Sequence, residues 1–149
     1  MKRDILILGA SYGSLFATKL LMAGHRVTLV CTRPTAELIN REGTRVGFPV
    51  RGMDRLLEIE SGELPGALRA ATPDEVDPQA FDLVVLGMQE AQYGSPGVKP
   101  LMPRIAASGR PCLAIMNMPP LPYLARIRGL TTEPLAGCYA DPTVWNGFD

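Results

Sequence analysis

Residues 5–33 read ILILGASYGSLFATKLLMAGHRVTLVCTR, and this stretch decides the fold. The apolar run over residues 5–8 predicts a strand that is buried on both faces. A helical run over residues 14–23 follows a short segment of small residues, and a second apolar run covers residues 27–31. A strand, a small-residue loop, a helix and a strand within about 30 residues are typical of the start of a dinucleotide-binding fold.

The small residues between the first strand and the helix predict a loop that holds a diphosphate. The first N–H groups of a helix are free and lie at the positive end of its dipole, so they bind anions. Gly9 supplies the turn, and we expect the N–H groups of Tyr12, Gly13 and Ser14 to donate to the phosphates. Ser11 stands where the dinucleotide fingerprint has its second glycine. We interpret Gly13 as the glycine that packs the helix on the sheet, which makes the loop one residue shorter.

The end of the second strand indicates which dinucleotide binds. NAD sites place an acidic residue there, on the ribose 2′-hydroxyl group. In this chain the position reads Thr32-Arg33, and no acid occurs before Glu37. Arg33 can pair with a 2′-phosphate, and Thr32 can form a hydrogen bond with it. We therefore expect NADP(H) as the cofactor, with NAD(H) as the weaker alternative.

The rest of the chain alternates predicted strands with predicted helices. Strands are expected at residues 44–50, 55–59, 67–71, 81–86 and 112–116, and helices at 34–40, 100–107 and 121–128. Residues 72–75 form the sequence of a capping box and predict a helix start. This alternation predicts an α/β fold, a doubly wound and mainly parallel Rossmann-type sheet with helices on both faces.

Two further loops belong to the expected site, because ligands bind beyond the carboxyl ends of the strands in such sheets. Gly87, Met88 and Gln89 follow the strand predicted at 81–86. Gly87 allows close approach of the dinucleotide. Asn117 follows the last predicted strand and offers an uncharged donor and acceptor near the nicotinamide ribose or the substrate.

Composition and charge exclude several classes of protein. The formal net charge is zero, so we expect no nucleic-acid partner. No apolar run is long enough for a membrane span, and residues 2–4 lead directly into the first strand, so we expect no secretory signal. Cys31, Cys112 and Cys138 fit no zinc motif and no disulfide framework, and we expect no metal site. Buried free thiols at Cys31 and Cys112 would indicate the cytoplasm.

Three segments together resemble the ketopantoate reductase family: LGASYGSLFATKLLMAGHRVTLV at 8–30, FDLVVLGMQEAQ at 81–92 and AIMNMPP at 114–120. The resemblance covers most of residues 4–128. It implies an NADPH-dependent reductase that transfers hydride between nicotinamide and a small carbonyl or hydroxy substrate. It also implies that Asn117 lies at the junction of cofactor and substrate, with Gln92 nearby.

The resemblance also implies that the catalytic groups lie elsewhere. In the family, a catalytic lysine and a substrate-binding carboxylate come from a helical domain that follows the nucleotide domain. We therefore expect residues 1–149 to be the dinucleotide-binding domain of a longer two-domain oxidoreductase, with no catalytic residue in this chain. Two alternatives stay open, an opine-dehydrogenase-like nucleotide domain and a non-catalytic nucleotide sensor or interaction module. The sequence also leaves homodimer formation open.

Overall fold

The apolar run at the start of the chain forms the central strand of a parallel sheet. A computed structural model describes residues 1–148. The strands are β1 (Asp4–Leu8), β2 (Arg26–Val30), β3 (Arg45–Phe48), β4 (Leu57–Glu60), β5 (Ala67–Ala71), β6 (Leu83–Leu86) and β7 (Cys112–Ala114). The helices are α1 (Ser11–Met22), α2 (Arg33–Glu42), α3 (Leu101–Ser108) and α4 (Leu121–Ala125).

The main sheet has five strands in the order β5-β2-β1-β6-β7, and every pair in it is parallel. β2 and β6 flank β1 on opposite sides. The chain passes from β1 through α1 to β2 on one side, and it later crosses to β6 on the other side, before α3. Dinucleotides bind at such a reversal of strand order, outside the carboxyl ends. The predicted fold class is confirmed, and β3 and β4 add a separate antiparallel hairpin.

Alternate residues of β1 point to two different apolar cores. Leu6 and Leu8 pack in the core that includes Leu101 and Ile105 of α3. Ile5 and Ile7 pack in the other core, with residues of α1 and α2. Because both faces of β1 are covered, the strand is a continuous apolar run rather than an alternating one.

Several element boundaries differ from the sequence-based expectation. α1 begins at Ser11, three residues earlier than expected, and residues 73–75 form a single 3-10 turn rather than the start of a longer helix. The expected burial of Cys112 is wrong, because all of β7 is exposed at the edge of the sheet. Within residues 1–148 no helix combines the length and apolarity that a bilayer span requires.

Candidate nucleotide-binding site

A cleft of about 1120 Å³ lies along the carboxyl ends of β1, β2 and β6. This volume is in the range of cofactor sites, which reach about 1,000 Å³. The expected site residues that line it are Gly9, Ser11, Tyr12, Ser14, Thr32, Arg33, Gly87, Met88 and Gln89. The structure therefore brings three separate loops of the sequence to one cleft.

The start of α1 presents unpaired N–H groups to this cleft. No residue in the described range 1–148 accepts a hydrogen bond from the N–H groups of Ser11, Tyr12 or Gly13. The Ser14 N–H donates to the Ala10 carbonyl at 3.2 Å, and the Ser14 hydroxyl donates to the same oxygen. The N–H groups that are free to bind phosphate are therefore those of residues 11–13 rather than those of residues 12–14. The shift arises because the helix begins earlier than expected and its first internal hydrogen bond uses the Ser14 N–H.

Gly9 lies in the loop between β1 and α1, where it contacts the ends of β2 and β6. Its N–H donates to the Val30 carbonyl of β2 at 2.9 Å. Its φ is +101°, and a Cβ atom there would lie 2.7 Å from Met88 Cγ and 2.9 Å from the Gly87 oxygen. No other residue type fits this backbone and this space, so the turn role expected of Gly9 is confirmed.

Gly13 lies beneath the cleft rather than on its lining. It is buried in α1, and a Cβ atom there would lie 2.8 Å from Ile7 Cγ2 of β1. This close approach confirms that Gly13 packs the helix on the sheet. The side of α1 that carries Gly13 therefore faces β1. The Gly13 N–H is one of the three unpaired N–H groups at the helix start.

The β2 end of the cleft carries the side chains expected at a 2′-phosphate. Thr32 precedes α2, and its hydroxyl lies 2.9 Å from the Thr35 hydroxyl. The Arg33 guanidinium donates to Glu75 Oε1 at 3.1 Å and to Thr72 Oγ1 at 3.4 Å. Thr72 and Glu75 follow β5, and sequence reasoning did not connect them with the site. The capping-box sequence predicts the turn that holds Thr72 and Glu75, but only the placement of β5 beside β2 brings that turn to Arg33.

The β6 end of the cleft is fixed by backbone contacts and one buried tyrosine. The Gly87 N–H donates to the Leu8 carbonyl at 3.0 Å. The Met88 N–H donates to the hydroxyl of Tyr93, whose side chain is fully buried. Burial raises the pKa of the Tyr93 phenol, so it stays neutral. The Gln89 N–H donates to Gln92 Oε1 at 2.8 Å, which closes the following turn.

Asn117 lies outside the cleft. β7 ends at Ala114, and Asn117 is an exposed residue of the turn that follows. Its neighbour Met116 lines a second, smaller cavity of about 630 Å³ against β7 and the end of the described chain. The structure therefore does not bring Asn117 to the cleft with the other expected site residues.

Residues 5–108 match the family model described as ketopantoate reductase PanE/ApbA. The chain belongs to this family. Ketopantoate reductases are oxidoreductases, and the matched region contains the cleft-lining residues named above. No curated protein sequence matches the chain.

Two solved structures share the ketopantoate reductase fold with this chain. One, from Ralstonia solanacearum MolK2, is assigned as a ketopantoate reductase and is 21% identical, with a TM-score of 0.54. The other, from Bacillus subtilis, is assigned as a 2-dehydropantoate 2-reductase and is 21% identical, with a TM-score of 0.53. The alignments cover 82% and 86% of this chain but only 34% and 38% of those proteins.

The side chains of the cleft can bind and orient a ligand but offer no strong acid or base. The described lining contains hydroxyls, including the Tyr12 phenol, together with amides, the Cys31 thiol, apolar groups and the two arginines Arg33 and Arg45. Lysine, histidine, aspartate and glutamate do not occur on it. Arg45 is paired with Glu60 at 2.6 Å. Within residues 1–148, the polar groups that line the cleft can therefore bind and orient a ligand.

Proposed function

We propose that this chain is the NADP(H)-binding domain of a longer, ketopantoate-reductase-like oxidoreductase. The observation that carries the proposal is the cleft itself, in which the free N–H groups of α1 and the Arg33 guanidinium share one cavity. A diphosphate fits the helix start, because Gly9 leaves no side chain in the way and the helix dipole is positive there. A 2′-phosphate fits Arg33, which retains N–H groups beyond those that contact Glu75 and Thr72.

The bound cofactor would supply hydride transfer to or from a small carbonyl or hydroxy substrate. Residues of this chain would bind the diphosphate and the 2′-phosphate, and would orient the nicotinamide past Gly87. The acid–base group and the substrate contacts would come from a second domain of the longer protein. The described cysteines are free thiols, which is compatible with the reducing cytoplasm that we propose as its location.

The diphosphate position can be tested with a charge at the start of α1. We expect Ser11→Asp to weaken NADPH binding at least tenfold, because a carboxylate would lie against the diphosphate (about 1 kcal/mol for each pair of unit charges at 4 Å in water). An acidic residue at a helix start stabilises the helix by about 0.3–1 kcal/mol, so the melting temperature should not fall. Ser11→Asn is the matched neutral control, and isothermal titration calorimetry gives the dissociation constants. Equal NADPH affinity for both variants contradicts the diphosphate site.

The 2′-phosphate position can be tested by removing Arg33. We expect Arg33→Ala to weaken NADPH binding about tenfold, since a charge-assisted hydrogen bond is worth about 1.5–3 kcal/mol. NADH affinity should change less than about twofold. Equal losses for the two cofactors would remove the basis for an NADP(H) preference.

A nucleotide sensor is the rival function that one observation favours, namely that lysine, histidine, aspartate and glutamate do not occur on the described lining of the cleft. Experiments on the longer protein distinguish the oxidoreductase hypothesis from the sensor hypothesis. Oxidation of NADPH by a 2-oxo acid supports the oxidoreductase, whereas binding without turnover across a panel of carbonyl substrates supports the sensor. Turnover by residues 1–149 alone would contradict the proposal that the acid–base group comes from a second domain.

A further inference from the structure

The Arg33 guanidinium, which the proposed function assigns to the 2′-phosphate, is in contact with a carboxylate. Arg33 Nη1 lies 3.1 Å from Glu75 Oε1, and Nη2 donates to Thr72 Oγ1 at 3.4 Å. Arg33 and Glu75 are 42 residues apart in the sequence. The order of the sheet brings them together, because β5 pairs with β2 and both strands end at the same edge. An acid therefore contacts the Arg33 side chain from the turn that follows β5 rather than from the end of β2.

The Glu75 carboxylate is held in place and stays ionised. Its second oxygen accepts the Thr72 N–H at 2.9 Å, and the Thr72 side chain accepts the Glu75 N–H in return. Hydrogen bonding with the Thr72 backbone and side chain, and then the hydrogen bond from Arg33, lower the pKa of Glu75 to about 2. At every pH of an ordinary binding assay, Arg33 therefore faces a full negative charge.

A second acidic residue lies in the same turn as Glu75. Asp74 precedes Glu75, and a hydrogen bond with the Thr72 side chain is the main reason why its pKa is lowered. The charge of Arg33 also favours the ionised form of Asp74. The Glu75 carboxylate, which contacts the guanidinium directly, reduces the positive potential that a phosphate would meet there.

We propose that Glu75 is a specificity-determining residue that offsets the charge of Arg33 and weakens the preference for a 2′-phosphate over a 2′-hydroxyl group. The inference rests on the proposed function. A phosphate on the remaining Arg33 N–H groups would lie about 6 Å from the carboxylate, since charge-assisted hydrogen bonds are about 2.8 Å long. Screened repulsion between the phosphate and the carboxylate at that distance lowers the affinity for a cofactor with a 2′-phosphate about threefold. A cofactor with a 2′-hydroxyl group carries no charge there and escapes this effect.

The test uses Glu75→Gln, which keeps an oxygen for the Thr72 N–H and removes the charge. Affinities for NADPH, NADH, adenosine 2′,5′-bisphosphate and 5′-AMP are measured by isothermal titration calorimetry. We expect the ratio of NADPH to NADH affinity to rise about threefold in the variant, and the ratio for the two adenosine phosphates to rise equally. Glu63→Gln, an exposed acid in the turn before β5, is the control and should leave both ratios unchanged.

The salt dependence of the affinity ratio distinguishes an effect of the Glu75 charge from a change in the position of Arg33. At 1 M salt the screening length is about 3 Å, so the difference between Glu75→Gln and the unaltered chain should disappear. A ratio that stays unchanged or falls in Glu75→Gln at low salt overturns the inference, and so does a rise that persists at 1 M salt. If the unaltered chain binds none of the four ligands, the proposed function itself fails, which is a different result from failure at Glu75 alone.

Discussion

Gly13→Ala tests how closely α1 must approach the sheet to place its free N–H groups. The new Cβ atom would lie 2.8 Å from Ile7 Cγ2, whereas carbon atoms in good contact are about 3.5–4.0 Å apart. Ile7 is fully buried and branched at Cβ, so its methyl group cannot rotate away freely. The helix or the strand must therefore move by about 1 Å.

The size of the effect follows from two opposing contributions. Overpacking of a well-packed core destabilises a protein by about 1–3 kcal/mol. Replacing glycine by alanine in a helix stabilises it by up to about 1 kcal/mol, and by less in the first turn. We therefore expect Gly13→Ala to lower the free energy of unfolding by about 1 kcal/mol, which corresponds to a fall of about 2–4 °C in melting temperature for a chain of this size.

Urea denaturation of a double-mutant cycle identifies the contact responsible. Ile7→Leu removes the methyl group at Cβ, so the same Gly13→Ala change should be less destabilising in that background. Ser11→Ala, at an exposed position of the same turn, controls for helix propensity. A Gly13→Ala variant that is more stable than the unaltered chain, or equal losses in both backgrounds, would refute the reasoning.

Three further predictions concern the parts of the fold around the cleft. Tyr93→Phe leaves the Met88 N–H without its acceptor, so urea denaturation should show a loss of about 1–3 kcal/mol. Asn40→Ala removes the amide that bonds both the N–H and the carbonyl of Ala70 at 2.8 Å, and the free energy of unfolding should fall by a similar amount. Because Glu75 has a pKa of about 2 against an ordinary value of 4.5, its ionised form stabilises the fold above pH 4.5 and this contribution is lost as the pH falls towards 2. Thermal denaturation should show the advantage of the unaltered chain over Glu75→Gln disappearing across that range.

The first unit of the fold was predictable because its signals are local. An apolar run, small residues, a helical run and another apolar run lie within residues 5–33, and the structure has β1, α1 and β2 there. The start of α1 was less predictable. Its N-cap position is Ala10, which makes no side-chain capping bond, so the sequence carries no polar signal at the true boundary.

Burial and distant contacts were harder to predict than strands. An apolar run such as residues 112–116 fits a central strand and an edge strand equally well, and β7 is an exposed edge in the described structure. The contact of Arg33 with Glu75 depends on β5 lying beside β2. Sheet order is a property of the whole fold, and no local pattern at either residue indicates it.

The two ends of the cleft rely on different kinds of interaction, and this has a consequence for cofactor selectivity. Backbone hydrogen bonds hold the end of the cleft that we propose for the diphosphate, from the Gly9 N–H to the Val30 carbonyl and from the Gly87 N–H to the Leu8 carbonyl. The end that we propose for cofactor selectivity relies on the side chains of Arg33 and Glu75, which are 57% and 40% exposed. Exposed ion pairs contribute little to stability, so substitutions there can change cofactor preference while the fold is retained. Substitutions at Gly9 cannot do so, because the backbone at the proposed diphosphate site also makes the contacts between β1, β2 and β6.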